Sequence, residues 1–250
     1  MRERLRVCAL YPELMSIYAD RGNLLLLERR CAWRGIGFEL TAVGHGDALD
    51  PDAHDLFYMG GGQDRDQELV AEDLHTDKRD ALHAAGARGA AILAVCGGYQ
   101  LLGHHYELGD RRVPGIGLVD LVTVRAPGGT AARLVGNVAI EVELPGIDGV
   151  RTLAGFENHG GRTQLGTGAT PLGRVLGRGH GNDGRSGWEG VRKGLIIGTY
   201  LHGPLLPKNV WFADWLVQQA LGRDEPMSSL DDRLEDAAHQ SARRAAGVSA

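Results

Sequence analysis

Ala90-Ala91-Ile92-Leu93-Ala94-Val95-Cys96-Gly97-Gly98-Tyr99-Gln100 is a six-residue apolar run that stops at a cysteine and two glycines. A short apolar run bounded by glycine reads as a strand buried on both faces. Tyr99 to His104 reads as the start of the next helix. A cysteine at a sharp strand-to-helix turn presents its side chain at the end of a sheet, and small neighbours let the backbone make the turn. The helix that follows aims unpaired N–H groups and a partial positive charge at the sulfur, which favours thiolate. The N–H of Gly97 is then placed to bind an oxyanion. Cys96 is the predicted nucleophile.

Reading outward, Leu5 to Leu10 and Leu56 to Met59 are further buried strands, and Phe38 to Val43 alternates as a strand does. Tyr11 to Asp20 is a loop. Asn23 to Arg34 is a helix stopped by Gly35, and Gln67 to Arg88 has helical periodicity in one or two pieces. Strand and helix alternate over about 105 residues, which predicts an α/β fold: an open, mostly parallel sheet flanked by helices. Active groups in such folds lie beyond the carboxyl ends of the strands. The second half is strand-rich: Leu118 to Val124, Asn137 to Leu144 and Leu153 to Phe156. Gly173 to Gly190 reads as loop. Leu195 to Tyr200 is a strand ending at Leu201-His202-Gly203-Pro204, and Asn209 to Leu221 is a helix. Residues 1–222 read as one domain and 223–250 as a C-terminal helix or tail.

The bulk properties narrow the function. The 250 residues carry a net charge of −5 without a clustered basic face, so no nucleic-acid footprint is expected. No apolar run is long enough for membrane insertion. Three cysteines without C-x-x-C spacing predict neither a disulfide framework nor a metal site, and the chain reads as cytoplasmic. Cys8, mid-strand, and Cys31, on the core face of its helix, read as structural. The 38 glycines among plentiful aliphatics mark turns and close backbone approaches.

A cysteine nucleophile needs a base. His202 directly follows an apolar strand at a forced turn. His159, in Phe156-Glu157-Asn158-His159-Gly160-Gly161-Arg162, competes with it. The other eight histidines sit among polar neighbours and read as solvent-facing. Gly60-Gly61-Gly62 follows a strand, and an N–H near Gly61 completes the expected oxyanion hole. No G-x-x-x-x-G-K-[ST] phosphate loop exists. Gly179 to Gly184 matches G-x-G-x-x-G without a following helix, so it reads as a loop.

Cys96-Gly97-Gly98-Tyr99-Gln100, Gly60-Gly61-Gly62-Gln63-Asp64 and Tyr200-Leu201-His202-Gly203-Pro204 together resemble the class I glutamine amidotransferases, in their cobyric-acid-synthase-type branch. Leu10 to Met15, Tyr18 to Asn23 and Gly155 to Thr163 are similar to the glutaminase subunits of lipid II isoglutaminyl synthases. The resemblance runs from about residue 10 to 204. It implies a flavodoxin-like three-layer fold and a glutaminase that hydrolyses L-glutamine. It also implies a heterodimer with a Mur-ligase-like, ATP-using synthetase, which amidates the D-glutamate α-carboxyl of lipid II. No cofactor is implied on this chain, and ATP belongs to the partner. The resemblance further implies an arginine that helps hold glutamine: by its position between the nucleophile block and the Phe-Glu-Asn-His block this is Arg133, with Arg125 the alternative, and Gln100 is the second expected substrate contact.

One position departs from the pattern. Many class I amidotransferases carry His-x-Glu, whose Glu orients the imidazole, but here Pro204 stands two after His202. Cys96 and His202 then act as a dyad or borrow an acid from the partner. The competing readings are a cysteine peptidase or other amidase on this fold, a cobyric-acid-type glutaminase, and a non-catalytic regulatory module.

Overall fold

The computed structural model describes residues 3–17, 20–126 and 132–249; Tyr18 and Ala19 of the quoted motif lie outside them. The first half runs β1 (Arg4–Leu10), α1 (Arg21–Trp33), β2 (Gly37–Val43), β3 (Leu56–Met59), α2 (Asp64–Asp73), α3 (Arg79–Ala87), β4 (Ala91–Val95) and α4 (Gly97–Leu101). A π-helical turn, Leu74–Lys78, joins α2 to α3, so the helical segment expected from Gln67 to Arg88 takes its two-piece form. The second half supplies β5 (His105–Leu108), β6 (Arg111–Pro114), β7 (Leu121–Arg125), β8 (Leu134–Val142), β9 (Arg151–His159), β10 (Gly161–Leu165), β11 (Gly173–Leu176), β12 (Trp188–Glu189), β13 (Val191–Lys193) and β14 (Ile196–Thr199). Two helices, α5 (Val210–Ala220) and α6 (Arg233–Ala245), follow.

The central sheet has the order β13-β14-β4-β3-β1-β2, and every pairing in it is parallel except β13 with β14. Period-two alternation divides its side chains between two cores. Leu5, Val7 and Ala9 of β1 pack with Leu24 and Leu27 of α1 and Phe212 and Leu216 of α5. Cys8 and Leu10 face Val70 of α2 and Leu82 of α3 on the other side. Cys8 and Cys31 are both fully buried, and burial pushes each thiol up to about 12.

Two four-stranded sheets add to this α/β frame, with orders β10-β7-β5-β6 and β12-β11-β8-β9. All their pairings are antiparallel except β5 with β7. Val138, Ile140 and Leu153 of the second one close over the α1/α5 core. The expected loop from Gly173 to Gly190 is corrected by this sheet, because it contains β11 and β12. At four and two residues both strands are too short to carry a periodic signal. His54 also departs from expectation: it is buried, edge-on to Phe57 at 5.6 Å.

The C-terminal segment is held by charge and by a small apolar cluster in which Ala246 packs on Ala139 and Ala154. Fully buried Arg30 of α1 donates Nη2 to Asp214 at 2.5 Å and Nη1 to Asp232 at 2.7 Å, and Arg34 donates to Asp214 at 2.6 Å. His239 of α6 shares a hydrogen bond with Thr152 at 3.0 Å. Removing one partner of a buried ion cluster leaves the others uncompensated. Arg30→Ala is expected to cost about 3 kcal/mol, lowering the melting temperature by roughly 6–12 °C. A melting temperature unchanged by calorimetry would show the cluster to be energetically idle.

Candidate active site

β4 and β14 are parallel neighbours in the centre of the sheet, with Val95 opposite Thr199. The N–H of Cys96 donates to the carbonyl of Thr199 at 2.8 Å, so both chains leave the sheet at the same level. Cys96 adopts φ 53°, ψ −109°, a left-handed conformation that side chains avoid. Such strain costs about 1–3 kcal/mol and persists where the surroundings over-determine it. Here Gly98 over-determines it. A Cβ on Gly98 would stand 2.8 Å from the carbonyl oxygens of both Met59 and Gly60, and its N–H donates to Gly60 at 3.1 Å. α4 starts at Gly97, not Tyr99, and ends after one turn at Leu101. Polarisation of the sulfur therefore rests on the local N–H groups more than on a long helix dipole.

His202 follows β14 and bridges to β9: its N–H donates to Phe156 at 2.9 Å, and Phe156 N–H returns the bond at 3.1 Å. Its ring meets Phe156 edge-on at 5.6 Å and is fully buried. Burial, helped by the neighbouring His159, Lys208 and Arg133, lowers its pKa to about 4, while Glu157 pulls the other way. His202 is thus neutral at pH 7, as a general base requires. His159 is also buried. It stacks flat on Tyr200 with centroids 3.5 Å apart, and its Nε2 lies 3.9 Å from Glu157. The two candidate bases sit on adjoining chains, and His159 lines the cavity in front of Cys96.

That cavity has a volume of about 680 Å³, and Gly62, Gln67, Cys96, Gln100, Arg125 and Arg133 contribute to its wall. Both candidate arginines reach it. Arg133 is held by Asn158, with Nε to the side-chain oxygen and Nη2 to the carbonyl, both at 2.8 Å. Arg125 faces Asp110 at 3.5 Å. Behind Cys96 a buried amide chain fixes the pocket floor. Gln67 Nε2 donates to Gln100 Oε1 at 3.1 Å, Gln100 Nε2 donates to the Tyr200 hydroxyl at 3.1 Å, and that hydroxyl bonds Thr163 at 2.6 Å. Gln67 gave no signal in the sequence beyond lying near the glycine triplet.

The expected oxyanion donor needs a correction. The N–H of Gly61 donates to the buried carboxylate of Asp20 at 2.8 Å and so is already engaged. Gly62, not Gly61, lines the cavity. A Cβ on Gly97 would stand 3.1 Å from the Gly62 nitrogen. The glycine triplet therefore offers Gly62 N–H, beside Gly97, where Gly61 was predicted. The G-x-G-x-x-G stretch has no free anion cradle either. Glu157 accepts from the N–H groups of His180 at 2.6 Å and Gly181 at 2.8 Å.

Residues 6–210 match the family model of the CobB/CobQ-like glutamine amidotransferase domain. The chain belongs to this family. The glutamine-hydrolyzing lipid II isoglutaminyl synthase subunit GatD of Streptococcus pneumoniae is 35% identical over 92% of this chain and 87% of its own length. The GatD subunit of Staphylococcus aureus is 37% identical over 84% of this chain and 81% of its own. A cobyric acid synthase of Pelotomaculum thermopropionicum is 32% identical over 80% of this chain but 37% of its own length. Among solved structures, the PurLQS structure from Thermotoga maritima shares the fold with a TM-score of 0.62 at 20% identity, covering 89% of this chain and 99% of that one. A glutaminase domain of Trypanosoma brucei CTPS follows at TM-score 0.53, 13% identity, 88% of this chain and 95% of that one.

As the fold rule expects, the glycine triplet, Cys96 and His202 follow the carboxyl ends of β3, β4 and β14 in turn, while His159 ends β9 and, unlike His202, lines the cavity with Cys96. Among the described residues no helix is long and apolar enough to cross a membrane, and no cluster of ligating side chains is placed to hold a metal.

Proposed function

We propose that this amidotransferase is the glutaminase subunit of a two-protein enzyme. It hydrolyses L-glutamine and passes ammonia to a Mur-ligase-like, ATP-dependent synthetase, which converts the D-glutamate α-carboxyl of lipid II to D-isoglutamine. The observation that carries the substrate is the pattern of similarity. The relatives matched along most of their own length are lipid II isoglutaminyl synthase subunits, whereas the cobyric acid synthase is matched along about a third.

The chemistry proposed is acyl transfer through a thioester. Cys96 thiolate attacks the carboxamide carbon, and the N–H groups of Gly97 and Gly62 receive the oxyanion. The proton that neutral His202 takes from the Cys96 thiol as the thiolate forms goes to the leaving nitrogen as ammonia departs, leaving a thioester on Cys96. Neutral His202 then takes a proton from water, whose oxygen attacks the thioester and releases glutamate and the thiolate. Arg133 and Gln100 hold the amino-acid part of glutamine. ATP binds the synthetase, and this chain needs no cofactor. Residues 1–222 are the catalytic unit, and 223–250 are its docked extension.

The missing carboxylate is assigned to the partner. Pro204 occupies the usual place, and the in-chain carboxylate acting on His202 is Glu157, whose two oxygens already accept backbone N–H groups. A partner acid must open the packing around fully buried His202, which ties activity to docking.

Reconstitution tests the reading. The chain with a Mur-ligase-like synthetase, lipid II, ATP and glutamine should yield amidated lipid II. Glutamine hydrolysis that never amidates lipid II but amidates a corrinoid acid would transfer the protein to the cobyric-acid branch.

A further inference from the structure

Asp20 opens α1, yet its side chain caps nothing in that helix. It is fully buried, and its Oδ2 accepts the N–H of Gly61 at 2.8 Å. Its Oδ1 has no hydrogen-bond partner among the described residues. Burial pushes its pKa up to about 7, against the pull of the Gly61 N–H. A carboxylate without a cationic partner, and with one oxygen unsatisfied, is costly to bury. The fold also spends other polar groups on the same corner. The Tyr58 hydroxyl donates to the carbonyl of Asp20 at 3.3 Å, and Asn23 Nδ2 donates to Tyr58 at 2.8 Å.

The reason lies in the glycine triplet. Peptide planes between glycines turn with little steric resistance, while an oxyanion hole works only if its donors are fixed beforehand. Two planes matter. The Gly60–Gly61 plane is held at both ends: its carbonyl accepts from Gly98 N–H at 3.1 Å and its N–H donates to Asp20. The Gly61–Gly62 plane has its carbonyl accepting from Ile17 N–H at 3.1 Å, which sends the Gly62 N–H the opposite way, towards the elbow at Gly97. Asp20 is the one side chain in this set; the other holds are backbone to backbone.

We infer that Asp20 is a positioning residue for glutamine hydrolysis: by anchoring Gly61 N–H it holds the glycine triplet so that Gly62 N–H faces the oxyanion formed at Cys96. This rests on the glutaminase reading above. Asp20 acts on the site through the peptide it holds.

The test compares acceptor-bearing and acceptor-free side chains of similar size, in the enzyme with its synthetase partner. Asp20→Leu removes the acceptor and the buried charge; Asp20→Asn keeps a carbonyl oxygen that can accept the same N–H. Asp20→Leu should lower kcat for glutamine by about 10²-fold, with KM within about threefold and alkylation of Cys96 by iodoacetamide unchanged. Asp20→Asn should recover most of kcat. Should Asp20→Leu fail to fold, Asp20→Ala is read the same way. Unchanged kcat in the acceptor-free variant overturns the role, and so does an equal loss in Asp20→Asn. A fall in kcat matched by lost thiol alkylation also overturns it, because the effect would then lie on the nucleophile. A parent enzyme that hydrolyses no glutamine overturns the glutaminase reading itself, and the role of Asp20 with it; an active parent separates the two.

Discussion

Cys96→Ala should lower glutamine hydrolysis by at least about 10³-fold, because no other group can form the thioester. The fold should survive. The substitution removes one sulfur atom from a site that is 7% exposed, leaving the strained backbone and its hydrogen bonds to Thr199 and Gln100 in place. A change in melting temperature of no more than about 4 °C is expected. Cys8→Ala and Cys31→Ala supply the contrast. Both thiols are core packing atoms, so these variants should lose stability by about 1 kcal/mol and keep the rate. Steady-state ammonia release and calorimetry on all three variants separate the roles. A Cys96→Ala rate within tenfold of the parent would remove Cys96 from the chemistry.

The elbow was readable because it is local. Six apolar residues, a cysteine and two glycines state a strand, a turn and a close approach within eleven positions, and the structure places Gly98 against two carbonyls accordingly. The parallel pairing of β1, β3, β4 and β14 was readable in outline from the strand–helix alternation, although the strand order was not. His202 was readable because a strand ends just before it.

What was not readable depends on direction rather than on residue type. Gly60, Gly61 and Gly62 look alike in sequence; which N–H faces the nucleophile is decided by Asp20 and Ile17, about forty residues upstream. Asp20 itself reads as a loop acid before a helix, a place where solvated carboxylates are common. Gln67 sits in a helical pattern, and only the fold brings its amide to Gln100. The short strands β11 and β12 take their form from pairing with β8 and with each other, not from propensity. Where site and core are built from contacts between distant segments, composition and periodicity carry no vector.

His202 carries the second large effect, and its protonation tests how the site is completed. His202→Gln should cut turnover by about 10²–10⁴-fold with Cys96 still open to alkylation. His159→Gln should cost less than His202→Gln, since His159 is fixed by its stack on Tyr200 and its approach to Glu157. A larger loss at His159 would exchange the two roles. The pKa of about 4 set by burial adds a signed expectation. An unfolded histidine binds its proton near pH 6.5, so between that value and about 4 the unfolded chain holds more protons at this site than the folded one. Stability contributed by neutral His202 is therefore present above pH 6.5 and is lost as the pH falls through that window. Catalysis should follow the same group. In the isolated chain the acid limb of kcat/KM should lie well below pH 6.5. Docking a partner carboxylate against the imidazole favours its charged form, so the limb should move upward in the complex. A limb that stays in place on complex formation would leave Cys96 and His202 as a dyad whose nearest acid is Glu157, and docking would have to raise the rate by shaping the cavity rather than by completing a triad.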